Sequence, residues 1–179
     1  MLEPGKLEKA FPQIENENWE FRSFLKAQNE DEVDRLAWKF HQELFAEMDC
    51  IACSNCCRVT ATTLNKRDVA RISRRLKMSP EDFHAQYVRK KDNGELRFKS
   101  IPCPFLTPEG CSVYDSRPKT CREYPHTDKC EFNSRLIFLV NQCSVCPVVF
   151  EIFERLKEHY REDFEEFQEE MRELFGEWS

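Results

Sequence analysis

Apolar residues recur at helical spacing near both ends of the chain. Between residues 30 and 49 they follow one another at three- and four-residue steps, which places them on one face of a helix. A second stripe with the same spacing predicts one helix over residues 148–175. Its members are Phe153, Leu156, Tyr160, Phe164, Phe167, Met171, Leu174 and Trp178. Such a stripe needs a cover, and we expect the N-terminal helix or a second copy of the chain to supply it.

Local signals divide the middle of the chain into shorter elements. Helix N-cap signatures begin at Asn65 and at Ser79. The dipeptide Asn93-Gly94 predicts a hairpin turn before a half-buried strand. The apolar run over residues 136–140 predicts a buried strand.

These patterns lead to a fold class and a domain assignment. Residues 1–17 contain two prolines and a glycine with little periodicity, so they predict a flexible lead-in. Residues 18–179 fit one domain by length. We expect a mainly α fold with a small irregular β element. In this fold a cysteine-rich metal-binding core, residues 50–147, is flanked by N-terminal helices and a long C-terminal helix, residues 148–175.

Charge is unevenly distributed along the chain. The net charge of -6 combines a charge of +7 over residues 58–129 with -7 over residues 151–179 and -6 over residues 1–57. The basic middle is either a solvated face near the acidic helices or a surface for an anionic partner. The basic residues lack the interleaved aromatic side chains that stack on bases, which argues against nucleic acid as the partner.

The sequence also favours a compartment. No apolar run of a secretory signal opens the chain, and no window approaches the ~20 apolar residues of a membrane-spanning helix. We therefore expect a cytoplasmic protein without membrane contact. In a reducing compartment the ten cysteines are better explained as metal ligands than as disulfides.

The densest candidate chemistry is a run of four cysteines within eight residues. Cys50, Cys53, Cys56 and Cys57 follow the spacing C-x2-C-x2-C-C. Thiolates select zinc, cuprous copper or iron-sulfur clusters over hard cations. Side chains of neighbouring residues point apart on a strand and diverge by about 100° on a helix. We therefore expect Cys56 and Cys57 to face different centres, or one of them to be a supporting or reactive thiol.

Nine cysteines are candidate ligands, and we place them hypothetically in two centres. The first centre joins four thiols, namely Cys50, Cys53, Cys56 and either Cys143 or Cys146. The second centre joins another four, namely Cys57, Cys103, Cys111 and Cys121. Cys130 is left over unless it replaces one of these, and His126 is the best candidate ligand that is not a cysteine. The residue types leave zinc and an iron-sulfur cluster about equally open.

A second cysteine segment completes a recognisable set of motifs. It reads Cys-Pro-Phe-Leu at 103–106, Cys-Ser-Val-Tyr-Asp-Ser-Arg-Pro at 111–118 and Cys-Arg-Glu-Tyr-Pro at 121–125. Together with residues 50–58, these motifs resemble the YkgJ-type cysteine-cluster family, which is described as zinc- or iron-chelating and carries a CxxCxxCC signature. The resemblance covers about residues 50–147 and implies that these cysteines are metal ligands.

That family is remotely similar to the cysteine-rich part of flagellin lysine N-methylases. This second resemblance implies an iron-sulfur cluster and S-adenosylmethionine chemistry. Two features depart from the pattern. Ser54-Asn55 stands where the family often has a glycine, and four glycines in the whole chain argue against a Rossmann-like cofactor site.

Three functions remain in view from the sequence. The leading one is a metal-binding protein whose thiolates coordinate zinc or an iron-sulfur cluster, with a structural or redox role. The alternative is an iron-sulfur-dependent protein-modifying enzyme, such as a methyltransferase similar to the lysine N-methylases. The second alternative is a zinc module whose basic face over residues 67–77 binds nucleic acid. Besides the metal, the partner we expect is another protein or a second copy bound through the C-terminal helix.

Overall fold

The computed structural model describes residues 3–176. The chain divides into two compact units, which we call the terminal unit, residues 1–48 with 125–179, and the central unit, residues 49–124. This division is finer than the single domain predicted over residues 18–179, which stays a prediction.

Helices dominate the described part of the chain. In chain order they are α1 (Pro4–Leu25), α2 (Glu30–Glu47), α3 (Cys50–Cys53), α4 (Asn55–Val59), α5 (Lys66–Arg75), α6 (Pro80–Tyr87), α7 (Lys119–Glu123), α8 (Leu136–Gln142), α9 (Pro147–His159) and α10 (Arg161–Phe175). The strands are β1 (Thr63–Leu64), β2 (Val88–Lys90), β3 (Leu96–Phe98), β4 (Leu106–Thr107) and β5 (Gly110–Cys111). The fold is therefore mainly α with a few short antiparallel strands, which confirms the predicted fold class.

The core of the terminal unit is built on aromatic rings. Phe21 of α1 lies 4.9 Å from Phe164 of α10 and 6.3 Å from Phe153 of α9 between ring centroids, both edge to face. Phe24 lies 5.4 Å from Phe164. All four rings are buried, and such pairs add to the free energy gained from their buried area. Helix α1 therefore covers the apolar stripe of α9 and α10.

The first helix begins earlier than the sequence predicts. It starts at Pro4, which corrects the flexible lead-in predicted over residues 1–17. Proline is tolerated at the first helical position because its missing amide would have no helical partner there. Pro12 lies inside the helix and counts against it locally. Leu7 is fully buried, so tertiary packing of the first turns overrides the local propensity.

Two further predictions for the C-terminal half are corrected. Residues 136–140 form part of helix α8 instead of a strand, with Leu136, Leu139 and Val140 buried and the residues between them exposed. Short apolar runs fit either structure, so the run alone does not decide between a strand and a helix. The helix predicted over residues 148–175 is two helices that meet at Tyr160. Trp178, the last predicted member of the stripe, lies outside the described residues.

The central unit is made of short elements. Strands β1, β3 and β2 form an antiparallel sheet in that order, and β4 pairs with β5 in a hairpin. The predicted turn at Asn93-Gly94 joins β2 to β3, with Lys90 opposite Leu96. The predicted caps are confirmed, because Asn65 forms a capping box with Asp68 and the Ser79 hydroxyl accepts an amide hydrogen bond at the start of α6. Eight apolar residues form the core, namely Leu64, Val69, Ile72, Phe83, Val88, Phe98, Phe105 and Val113.

The structure also addresses membrane contact. Within residues 3–176, each helix taken alone is too short or too polar to cross a bilayer. The pair Phe132–Gln142 and Pro147–His159 reaches the required length and composition only when its two members are joined, and it is bent by 119°.

Candidate metal centre

The first cysteine run forms two short helices with a sharp bend between them. The carboxylate of Asp49 caps α3 by accepting hydrogen bonds from the amides of Ile51 and Ala52, at 2.8 and 3.1 Å. Ser54 then adopts a left-handed conformation, with φ of 47°, and α4 begins at the next residue. A non-glycine residue is uncommon in that region and carries strain. Local capping and one strained turn thus position Cys50 to Cys57.

A close backbone approach joins this run to the β4–β5 hairpin. Gly110 has φ of 105°, and a Cβ atom built on it would overlap the Ile51 side chain and lie 3.2 Å from the Ile51 carbonyl oxygen. Only glycine combines that backbone angle with that space. The glycine directly precedes Cys111, so the contact brings α3 against the strand that carries this thiol.

Four thiols of the central unit approach one another. Cys57 lies on α4, Cys103 just before β4, Cys111 on β5 and Cys121 on α7. The amide of Cys103 donates a hydrogen bond of 2.8 Å to the carbonyl of Cys57. Burial is the main cause that raises the pKa of Cys103, Cys111 and Cys121, and the charge of Cys57 raises each of them further. We call these four residues the thiol cluster.

Hydrogen-bond donors are directed at three sulfur atoms of the cluster. The backbone of Phe105 hydrogen-bonds the Cys103 thiol, and the backbone of Val113 hydrogen-bonds the Cys111 thiol; both bonds lower the pKa of the thiol they reach. The Thr62 hydroxyl lies 3.6 Å from the Cys121 sulfur. Such contacts stabilise thiolate charge and are typical of sulfur atoms that bind zinc or iron.

The thiols of the cluster differ in their ease of ionisation. Burial raises the pKa of Cys103 to about 12 and that of Cys121 to about 11. The pKa of Cys57 is lowered to about 7, because Cys56 donates a hydrogen bond to it and Arg58 lies nearby, against the effect of burial. A metal ion must therefore displace protons from the buried thiols, and its affinity falls as the pH falls.

The thiols of the cluster are suitable ligands for a soft metal ion, although their side chains do not form a preassembled coordination geometry. Within residues 3–176, no group of three or more His, Cys, Asp or Glu side chains lies ready to hold an ion. All ten cysteines lie within the described residues, and none of them forms a disulfide bond. Four thiols close enough to influence one another's ionisation, with donors to three of the sulfurs, match the ligand chemistry of zinc or iron.

The other predicted ligands are divided between the two units. Cys50 and Cys53 are near neighbours on α3, since burial and then the charge of Cys53 raise the pKa of Cys50. The charge of Cys57 raises the pKa of Cys50 as well, so Cys50 also lies near the thiol cluster. Cys143 and Cys146 belong to the terminal unit and are buried. Burial raises the pKa of Cys143 well above its usual range. A first centre completed by one of these two residues stays a prediction.

The remaining candidates lie in the terminal unit. Cys130 is exposed. The ring of His126 meets Phe138 edge to face, with 6.0 Å between centroids, and its backbone has φ of 65°. A ligand role for either residue stays a prediction.

Arginine side chains near the thiol cluster donate hydrogen bonds to backbone carbonyls. Arg117 donates to the carbonyl of Tyr114 and lies over its ring, 3.8 Å from the centroid. Arg71 and Arg122 both donate to the carbonyl of Arg117, at 2.8 and 2.9 Å. These bonds hold the segment that leads into α7 and so position Cys121.

Two residues that support the thiol cluster are not among the predicted site residues. Thr62 has no signal, because it contacts Cys121 only through the fold. Gly110 has one, since a glycine directly before a cysteine in a chain with four glycines indicates a special backbone requirement.

Comparisons with known proteins identify the family of this chain. A family model described as "CxxCxxCC: Putative zinc- or iron-chelating domain" matches residues 49–147. The uncharacterized protein MJ0661 of Methanocaldococcus jannaschii is 35% identical over 82 residues, which cover 44% of this chain and 44% of that protein. The match thus spans less than half the length of this relative. No solved structure matches the chain. Since the family model covers more than half of the sequence, the chain belongs to the CxxCxxCC family of zinc- or iron-chelating domains.

Proposed function

We propose that the thiol cluster binds one zinc or iron centre through four thiolates. The observation that carries this proposal is the mutual influence of four thiols from three separate segments of one compact unit. Four thiolates are the preferred ligand set of structural zinc and of iron-sulfur centres. Membership of a zinc- or iron-chelating family supports the same reading.

The role we propose for the metal is to cross-link the central unit. Cys103 and Cys111 are partly buried against the apolar core, whereas Cys57 and Cys121 lie on helices of five residues each. Short elements of this kind gain little stability by themselves. Bound zinc would supply a rigid cross-link, and bound iron would add the capacity to exchange an electron. Cys56 supports the centre through its hydrogen bond to Cys57.

The first centre, on Cys50, Cys53 and Cys56 with Cys143 or Cys146, stays a prediction. The methyltransferase chemistry and the nucleic-acid alternative stay predictions too. A cytoplasmic location stays one too. The cross-linking role needs none of them.

Single serine replacements test the ligand set. Cys103→Ser and Cys121→Ser each remove one thiolate, so each should reduce the metal content of anaerobically purified protein by about one centre per chain. Cys130→Ser is the matched control, because Cys130 is an exposed thiol, and it should keep the full content. Elemental analysis counts and identifies the metal, and visible absorbance distinguishes an iron-sulfur cluster from colourless zinc.

Two results would contradict the proposal. One is a full metal content in Cys103→Ser and Cys121→Ser. The other is a loss in Cys130→Ser equal to that in Cys121→Ser. Cys50 is not one of the four proposed ligands, although the charge of Cys57 also acts on it, so Cys50→Ser should keep this centre. If Cys50→Ser removes the same metal as Cys121→Ser, the proposed set of four ligands is wrong.

A further inference from the structure

A cleft of about 450 Å³ opens in the central unit beside the start of α5 and the helix α7. Its volume lies in the range of small-molecule sites. Its described lining is strongly basic and consists of Asn65, Lys66, Arg67, Asp68, Arg71, Lys119 and Arg122. Five cationic side chains therefore surround one carboxylate, and none of the cysteines takes part.

The one carboxylate of the cleft is already fully engaged. Asp68 is 1% exposed. Its two oxygens accept hydrogen bonds from the amide of Asn65 at 3.0 Å, the guanidinium of Arg71 at 2.6 Å and the amide of Lys119 at 3.0 Å. Asp68 thus neutralises Arg71 and holds α7 against α5. Asp68 does not compensate the charge of the other four cations of the lining.

The remaining cations are open to a ligand. Lys66 and Arg67 are exposed, and neither forms an ion pair within residues 3–176. The Nζ atom of Lys119 lies 3.6 Å from Oε1 of Glu123, and an exposed ion pair of this kind contributes little free energy. Arg122 donates one hydrogen bond to the Arg117 carbonyl and keeps its other N–H groups for a second acceptor. Four positive groups therefore face one small space.

The side chains, more than the helix end, define what the cleft would bind. The capping box of Asn65 and Asp68 already occupies donors at the start of α5. Guanidinium groups match phosphate oxygens with paired hydrogen bonds, and lysines add mobile positive charge. No aromatic side chain belongs to the described lining, so the cleft offers no platform on which a base could stack. Several adjacent cations favour a ligand with several adjacent negative groups.

We propose that this cleft binds an oligophosphate group, either inorganic pyrophosphate or the phosphate chain of a nucleoside diphosphate. The cleft shares no residue with the thiol cluster, although α7 carries Cys121 as well as Lys119 and Arg122 of the cleft. The phosphates would contact Lys66 and Arg67 on one side and Lys119 and Arg122 on the other.

Calorimetric titration of the full-length, metal-loaded protein tests the proposal. Pyrophosphate should bind with a stoichiometry of one per chain at fixed ionic strength. The double variant K66Q/R67Q removes two exposed cations of the lining and should weaken binding by about tenfold or more. The matched control R89Q/K90Q removes the same two residue types from exposed positions on β2 and should change the affinity by less than about twofold. Thermal melts should be unchanged in both, and K119Q provides a second variant on the other side of the cleft.

Parallel titrations distinguish the source of the phosphates. Equal affinities for pyrophosphate and ADP would show that the cleft recognises the phosphates alone, and tighter binding of ADP would identify a nucleotide; either supports the proposal. It is overturned if pyrophosphate at millimolar concentration gives no binding, or if both double variants weaken binding equally. Loss of metal in step with pyrophosphate addition would show chelation and overturn it as well. Tighter binding of a single-stranded RNA of matched charge would assign the surface to nucleic acid instead.

Discussion

The terminal and central units achieve their folds by different means. In the described part of the terminal unit, four of the five α-helices have 13 to 22 residues. Large side chains such as Phe21, Phe132 and Phe153 are completely buried there. In the central unit, no described helix exceeds 10 residues and the strands have two or three. Seven of the ten cysteines lie there.

This difference indicates where each unit draws its stability. Long amphipathic helices gain stability from the apolar face that they bury. A small unit of short elements buries less surface per residue, and such units often depend on a metal or a disulfide. Since none of the ten cysteines forms a disulfide bond, we expect the central unit to depend on its bound metal and the terminal unit to be independent of it.

Metal removal should produce the largest difference between the units. After treatment with a chelator, amide exchange in the central unit should accelerate by at least about a hundredfold, because the free energy of thiolate coordination is also folding free energy. The Cys103 amide, bonded to the Cys57 carbonyl, is a suitable reporter. Helices α1 and α9 should keep their protection. Hydrogen-exchange mass spectrometry measures both units in one sample.

The expected difference in metal dependence is contradicted if amide exchange in the two units changes equally after metal removal. Equal acceleration in α1 and in the thiol-bearing segments would mean that the metal stabilises the whole chain as one unit. Unchanged exchange in both would remove the structural role of the metal.

A core truncation should affect the units in the opposite way. Phe153 is fully buried in the terminal unit, with Phe21 and Phe132 as ring neighbours. Phe153→Ala should lower the free energy of unfolding by about 3 to 5 kcal/mol. The metal content should stay constant. Urea unfolding and elemental analysis measure the two quantities.

The control for this truncation is Phe175→Ala, since that ring is 68% exposed. It should change the free energy of unfolding by no more than about 0.5 kcal/mol. Loss of metal from Phe153→Ala would show that the thiol cluster depends on the terminal core.

Replacing each of two glycines with alanine should change the stability of the protein by small amounts of opposite sign. Gly110→Ala adds a methyl group that overlaps Ile51 and places alanine at a φ of 105°, so it should destabilise the central unit by about 1 to 3 kcal/mol. It should also weaken metal binding, because Cys111 is the next residue. Gly5→Ala has no atom within 4 Å of the added carbon and lies in α1, so it should stabilise by about 0.5 to 1 kcal/mol. Thermal unfolding of both variants is the measurement, and a destabilising Gly5→Ala would contradict this account.

Elements with a complete local signal were predictable. The helix over residues 30–47, the capping box at Asn65 and the hairpin at Asn93-Gly94 each depend on residues within a few positions of one another. Their hydrogen bonds and apolar faces are properties of the segment itself, so the sequence pattern is sufficient.

Elements that depend on distant packing were predicted incorrectly. The first turns of α1 are stabilised by the burial of Leu7 in spite of Pro12, and α8 is helical although its apolar run also fits a strand. The helix break at Tyr160 has a buried ring that meets Phe24 edge to face, with 5.6 Å between centroids. In each case the deciding contacts come from another part of the chain.

The candidate site also has some features that the sequence predicts and others that only the fold decides. The number of cysteines, their spacing and the softness of sulfur are sufficient to predict thiolate binding of a zinc or iron centre. Only the tertiary structure decides which thiols meet, because Cys57, Cys103 and Cys121 lie on separate segments of the chain. Their approach depends on the short β4–β5 hairpin, on the absence of a side chain at Gly110 and on the bonds of Asp68 and Arg71 that hold α7. Those are contacts between segments, and no spacing rule along the sequence encodes them.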